Sequence, residues 1–112
     1  MLVVPSMFEP CGLVPMVGLR YGTVPVVRSV GGMVDTVFDR DHSPREPEER
    51  NGYAFQHTDN RAVESALGRA FGLWSGRPRD FRRLMRNSMR ADYSWSAPGQ
   101  RYLKVYQHIC NN

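Results

Sequence analysis

The sequence predicts an α/β fold in which about three short parallel strands are flanked by helices and followed by a C-terminal helical cluster. Three observations predict it. Short β-branched runs alternate with amphipathic segments in the order strand, helix, strand, turn, strand, helix, helix, helix. Such alternation means parallel pairing through right-handed crossovers. The first run, Leu2-Val3-Val4, is apolar throughout, like strands buried on both faces of a parallel sheet. The chain has 112 residues, 41% hydrophobic and 23% charged, which suits one small domain and excludes two independent ones. Three strands make a thin sheet, so the expectation is the second half of a doubly wound lobe. A buried strand at the first residues is unusual because termini lie at surfaces; the expectation is that structure upstream completes the sheet.

Each element has its own signal. Residues 5–10 hold Pro5 and Pro10 and read as loop. Over 12–21, Leu13, Met16, Val17 and Arg20-Tyr21 follow a helical period; Pro15 falls in the first turn, where its missing N–H costs little, and Gly22 terminates. Val24, Val26 and Val27 make a second strand over 23–27 despite Pro25. A glycine turn covers 29–32, and 33–38 is a short helix or extended segment. Residues 39–50 (DRDHSPREPEER) are charged with two prolines and read as an exposed loop, with Asp39, Asp41 and His42 solvated. Tyr53 and Phe55 share one face of a third strand over 51–56. A helix over 60–74 turns Val63, Ala66, Leu67, Ala70, Phe71 and Trp74 inward. The helix over 78–90 has Phe81, Leu84, Met85, Ser88 and Met89 on one face and Arg79, Arg82, Arg83, Arg86 and Arg90 on the other. Ser94 or Ser96 caps a last helix with Tyr102, Leu103, Tyr106 and Ile109 inward.

Several classes are excluded. The longest apolar stretch, 12–19, is broken by Pro15 and too short for a bilayer, and the first residues lack a signal peptide's basic flank. Cys11 and Cys110 match no zinc or redox spacing and read as free thiols of a reducing compartment. His42, His57 and His108 have no helical partner at metal-ligand spacing, so no metal is expected.

Ligands of parallel α/β sheets bind outside the carboxyl ends of the strands. After the first strand stands Glu9, then Cys11-Gly12-Leu13 opening a helix; after the second stand Arg28 and Gly31-Gly32. Helix-start N–H groups favour anions, a glycine lets a phosphate approach, and an arginine could pair with it. The pattern reads as a phosphate site beside a carboxylate, although glycine turns also occur at strand ends for turn geometry alone.

The segments Pro5-Ser6-Met7-Phe8-Glu9-Pro10-Cys11-Gly12-Leu13, Gly18 to Arg28 with Tyr21-Gly22-Thr23, and Gly31-Gly32-Met33-Val34-Asp35-Thr36-Val37 resemble the carboxyl-terminal lobe of bacterial glycogen synthases and plant or algal starch synthases. Asn51-Gly52-Tyr53-Ala54-Phe55, Asp92-Tyr93-Ser94-Trp95-Ser96 and Tyr102-Leu103 to Tyr106 continue the resemblance in order along the chain. It implies part of a GT-B fold, two Rossmann-like lobes around a cleft, with residues 1–112 a partial nucleotide-sugar-binding lobe and the amino-terminal lobe absent. It implies transfer of glucose from ADP-glucose to the non-reducing end of an α-1,4-glucan with retention, without a cofactor, in a bacterial cytoplasm or a plastid. By resemblance Glu9 lies at the donor sugar, Cys11, Gly12 and Leu13 offer backbone N–H groups, and Gly31 and Gly32 line the same site; the implied substrate-binding set is Cys11, Gly12, Leu13, Arg28, Gly31 and Gly32. The chain departs from the family at Val14-Pro15, where Thr-Gln is usual, and at Val30, where Thr is usual. A partial lobe offers one wall of a cleft, so the isolated chain is expected to be inactive.

Two rival readings remain. The chain could be a non-catalytic fragment binding a nucleotide sugar or a glucan. Residues 57–112 carry 10 Arg and Lys against 4 Asp and Glu, whereas 1–56 are net acidic, so the arginine helix could bind nucleic acid. That face lacks interleaved aromatics, and an amphipathic helix needs a polar side in any case; no nucleic-acid or membrane partner is expected.

Overall fold

The computed structural model describes residues 1–111. The elements are β1 (Leu2–Val4), α1 (Leu13–Arg20), β2 (Pro25–Arg28), α2 (Met33–Thr36), β3 (Tyr53–Phe55), α3 (Asn60–Gly76), α4 (Pro78–Arg90) and α5 (Ser96–Cys110). The expected α/β class and the three parallel strands are what forms. The sheet order is β1-β2-β3, with Val3 opposite Val26 and Val26 opposite Tyr53. Pro25 fits because it is the first residue of its strand, where a missing N–H is tolerated.

Strand alternation along 24–27, the residue before β2 included, sends side chains to two cores. Val24 and Val26 join Tyr53, Phe55, Ala66, Ala70, Leu73, Phe81 and Leu84 on one face. Val27 joins Val4, Leu19, Met33 and Val37 on the other. β1 is an edge strand, so the expectation of burial on both its faces holds only for Val4; Val3 is 42% exposed.

Several helical faces are rotated from their expected positions. α1 buries Leu19 and Pro15 and leaves Leu13 and Val17 exposed. Its end is as expected: Gly22 (φ 72) donates to Leu19 O and Thr23 N–H to Gly18 O, the paired bonds of a glycine-terminated helix. α3 buries Ala66, Ala70 and Leu73, whereas Phe71 and Trp74 face solvent and pack on each other at 5.4 Å between ring centroids. Two alanines let α3 sit close to Tyr53, and in that seat the larger rings have no space. α4 buries Phe81, Leu84, Asn87 and Ser88 but not Met89. Asn87 earns its place by donating to Pro47 O and Arg50 O, both at 2.9 Å. α5 departs furthest. It buries no residue, and Tyr102, Leu103, Tyr106 and Ile109 are all exposed. No side chain caps it, although Ser94 Oγ accepts from the Ser96 N–H. The C-terminal helices therefore form a packed pair, α3 and α4, with α5 standing apart.

The segment after α2 also differs from its expected solvated loop. Phe38 to Arg40 runs beside the outer edge of β3, with Asn51 N–H donating to Phe38 O and Arg40 N–H to Gly52 O. Asp39 is buried. Its Oδ2 accepts from the Ala54 N–H at 2.7 Å, and its two oxygens take Arg69 at 2.9 and 3.0 Å. Arg69 donates in turn to Ala54 O at 3.2 Å. An ion pair thus satisfies the outward-facing N–H and C=O of the middle residue of β3, as a fourth strand would. Arg69 also lies over the Tyr53 ring, 5.1 Å from its centroid. Burial, aided by the Asp41 charge, pushes the Tyr53 phenol up to about 12, so the ring packs as a neutral group.

Burial alone would raise the Asp39 carboxyl, but hydrogen bonds from Arg69, Ala54 and Asp41 outweigh it and hold it below its ordinary 3.8. Its stabilisation is therefore complete above the unfolded-state value and is lost as pH falls through the lower folded one. Asp39→Asn is expected to lower stability at pH 7 by about 2–3 kcal/mol, the scale of hydrogen bonds to a charged group. Urea midpoints at pH 7 and pH 3 check this: the gap between parent and variant should shrink at acid pH, and an equal gap at both would refute the role.

Candidate functional site

The carboxyl ends of β1 and β2 meet in one place. The loop leaving β1 carries Glu9, Cys11 and Gly12; the turn leaving β2 carries Gly31 and Gly32. The Gly32 N–H donates to Glu9 O at 3.2 Å, and the Gly12 N–H donates to Glu9 Oε1 at 3.0 Å. The carboxylate therefore folds back onto the start of α1, where its charge suits the positive end of the helix. Glu9 Oε2 is left without a hydrogen bond among the described residues.

The glycines are required by this meeting. Gly31 has φ 55, and a Cβ on it would lie 1.6 Å from Glu9 O. On Gly32 a Cβ would lie 2.3 Å from Cys11 O. The group that needs the missing side chains is the backbone of the β1 loop itself, a reason the sequence did not disclose. Gly12 (φ 77) precedes α1, and a Cβ on it would lie 3.0 Å from Met33 Cγ. Leu13 is 64% exposed in the first turn of α1. The first N–H groups of a helix lack intrahelical partners. Here Gly12 is engaged by Glu9 and Pro15 has none, so Leu13 and Val14 are the donors facing outward. Cys11 is an exposed free thiol.

Arg28 sits differently from the phosphate partner expected. Its Nε donates to Gln56 O at 3.0 Å, and its Nη1 to Met7 O at 3.0 Å and Ser6 O at 3.4 Å. Of the seven predicted site residues, Glu9, Cys11, Gly12, Gly31 and Gly32 converge, Leu13 adjoins them, and Arg28 braces the loop from behind.

Sequence reading missed a cavity of about 680 Å³ between α2, β3 and α3, lined in part by Ser29, Phe38, Arg45, His57, Ser65 and Arg69. It contains none of the predicted site residues. Its signal is absent from the sequence because its walls come from residues up to 40 positions apart. Among the described residues no group of three His, Cys, Asp or Glu could hold a metal ion, and no helix is long and apolar enough to cross a membrane.

No family model matches the chain. It is 62% identical over 109 residues to glycogen synthase 1 of Synechococcus sp. (strain JA-3-3Ab), covering 96% of this chain and 22% of that protein. It is 56% identical over 108 residues to glycogen synthase 2 of Methylococcus capsulatus, with the same coverage. Among solved structures, the catalytic domain of starch synthase IV from Arabidopsis thaliana, bound to ADP and acarbose, matches at 35% identity. Its TM-score is 0.91 over 98% of this chain and 22% of that one. Sucrose-phosphate synthase from Thermosynechococcus elongatus matches at 28% identity with a TM-score of 0.69, over 97% of this chain and 25% of that one. The chain spans about a fifth of the length of the glycogen synthases it matches.

Gly32→Ala tests the loop contact without backbone strain, because Gly32 has an ordinary helical φ of −63. The variant is expected to expel the Glu9 loop and hasten proteolysis between Ser6 and Leu13. Gly68→Ala on the open side of α3, where an added Cβ meets nothing within 4 Å, is expected to stabilise by about 0.5–1 kcal/mol. Equal protease resistance in parent and Gly32→Ala chains would show that the loop tolerates the side chain.

Proposed function

We propose that this chain, which belongs with the glycogen and starch synthases over about a fifth of their length, forms the donor-side wall of a retaining glucosyltransferase cleft. The donor is ADP-glucose and the acceptor the non-reducing end of an α-1,4-glucan. The observation that carries the proposal is the convergence of Glu9 with Gly12, Gly31 and Gly32 at the carboxyl edge of the sheet. The 0.91 likeness to a starch synthase domain bound to ADP supports a nucleotide-sugar ligand there.

Each group has a role set by its chemistry. Glu9 is held by one oxygen, so the other meets the sugar with a fixed direction. There it accepts from a glucose hydroxyl and stabilises positive charge developing at the anomeric carbon, a preorganised electrostatic contribution. The exposed N–H groups of Leu13 and Val14 face the diphosphate, favoured by the helix end. Gly31 and Gly32 keep the floor flat beneath the sugar, and Cys11 contributes backbone rather than thiol chemistry. Val14 and Pro15 supply no hydroxyl or side-chain amide, so fewer donors reach the diphosphate than in relatives with Thr-Gln there.

The remaining portion of the synthase, including an amino-terminal lobe, supplies the opposite wall. The exposed Tyr102, Leu103, Tyr106 and Ile109 of α5 offer that portion an apolar surface of the kind interfaces bury. Catalysis needs both substrates in near-attack geometry with water excluded, and one wall cannot provide that. The setting is the bacterial cytoplasm or a plastid, where such glucans are made.

The purified 112-residue chain is expected to transfer no glucose from ADP-glucose to glycogen; measurable incorporation of labelled glucose would overturn the need for a second wall. A chimera in which these residues replace the matching segment of the Synechococcus glycogen synthase is expected to be active. In it, Glu9→Gln keeps the acceptor for Gly12 but removes the charge. It should lower kcat by about a hundred- to a thousandfold with KM for ADP-glucose little changed. A near-parent kcat would make Glu9 a helix cap only.

A further inference from the structure

We propose that Arg28 is the positioning residue of Glu9, and not a ligand of the donor diphosphate. The inference rests on the reading of Glu9 given above.

Arg28 ends β2, the central strand. Its guanidinium reaches both neighbours at once. On one side Nε donates to Gln56 O, just beyond β3. On the other, Nη1 donates to Met7 O and Ser6 O, two and three residues before Glu9. One planar group thus ties together the three strand exits.

The loop depends on this tie because little else holds it. Met7 is 71% exposed and Phe8 80%, so apolar packing does not fix its path. Its carboxyl-terminal side is anchored by the Gly32 N–H on Glu9 O; its amino-terminal side is anchored by Arg28. Without the arginine, Glu9 keeps its carbonyl contact and its Gly12 bond but loses the fixed approach of the chain leading into it. A bidentate grip on a diphosphate would take Nε or Nη1 from these carbonyls, since Nη2 alone is not engaged by them, and would leave at least one carbonyl unpaired, a cost that the geometry argues against.

The role needs a guanidinium. A lysine ammonium is a compact point donor on a flexible stem and cannot serve both sides in one plane. Displacement of a catalytic group by about 1 Å can cost about a hundredfold in rate, and the loss falls on the chemical step.

The test uses the active chimera described above, with Arg28→Lys, Arg28→Ala, Glu9→Gln and the double variant Arg28→Lys/Glu9→Gln. Arg28→Lys should melt within a few degrees of the parent, lower kcat about ten- to a hundredfold, and leave KM for ADP-glucose and the calorimetric Kd for ADP within about threefold. Added guanidinium should restore part of the kcat of Arg28→Ala. The double variant should be no slower than Glu9→Gln, because a positioning residue has nothing left to position. A raised KM and weakened ADP binding with kcat intact would make Arg28 a diphosphate ligand and overturn the proposal. So would a double variant showing the full product of both losses, or a collapsed melting transition in Arg28→Lys, which would make the arginine a general support of the fold. The two readings fail separately. A parent-like Glu9→Gln removes the role of Glu9 whatever Arg28 does, whereas a slow Glu9→Gln with a parent-like Arg28→Lys removes only the present inference.

Discussion

The site depends on one backbone contact, the seating of Glu9 and Cys11 against Gly31 and Gly32. No side chain fits between them, since an added Cβ would lie 1.6 Å from Glu9 O at one glycine and 2.3 Å from Cys11 O at the other. The contact fixes the distance between the exits of β1 and β2. From it follow the Gly12 bond to the Glu9 carboxylate, the entry angle of α1, and the position of Met33 beneath Gly12. Together with the Arg28 bonds to Ser6 O and Met7 O, it gives a loop with exposed Met7 and Phe8 a defined path. Two glycines and one arginine do here what packing does elsewhere.

The two edges of the sheet are treated differently. Beyond β3, Asp39 and Arg69 meet the outward N–H and C=O of Ala54, which blunts the edge against further strand addition. Outside β1 no strand pairs among the described residues, and Val3 remains exposed. The open edge lies on the side of Glu9 and the closed one away from it. The sheet is thus closed by side chains at β3 and left open at β1 among the described residues.

The surface divides in the same way. α3 and α4 cover one core with Ala66, Ala70, Phe81 and Leu84, and α4 turns its arginines to solvent. Their positions are those of an amphipathic helix with its apolar face satisfied. α5 buries no residue; Trp95 packs on Tyr102 at 5.8 Å between ring centroids, and Leu103, Tyr106 and Ile109 stay exposed.

What the sequence determined by itself was local and periodic. The β-branched runs at Leu2 to Val4 and Val24 to Val27, the αL glycine at Gly22 and the helical spacing over 60–90 are short-range consequences of backbone sterics and patterning. They were enough for the fold class and for bringing Glu9, Gly12, Gly31 and Gly32 to neighbouring strand ends. What only the tertiary structure decided was which atoms those residues meet. Leu19 rather than Leu13 faces the core because helix rotation is set by what lies underneath. Leu73 rather than Trp74 does so because two alanines draw α3 too close for a ring. Asp39 leaves the solvated loop that its neighbours predict because Arg69, 30 residues on, arrives beside it along an unpaired strand edge. Arg28 braces a loop rather than facing outward because the carbonyls of Ser6, Met7 and Gln56 come within its reach only once three strands are aligned. Each is a long-range pairing, and a residue's partner across a sheet is set by the fold as a whole rather than by the residues beside it in the chain.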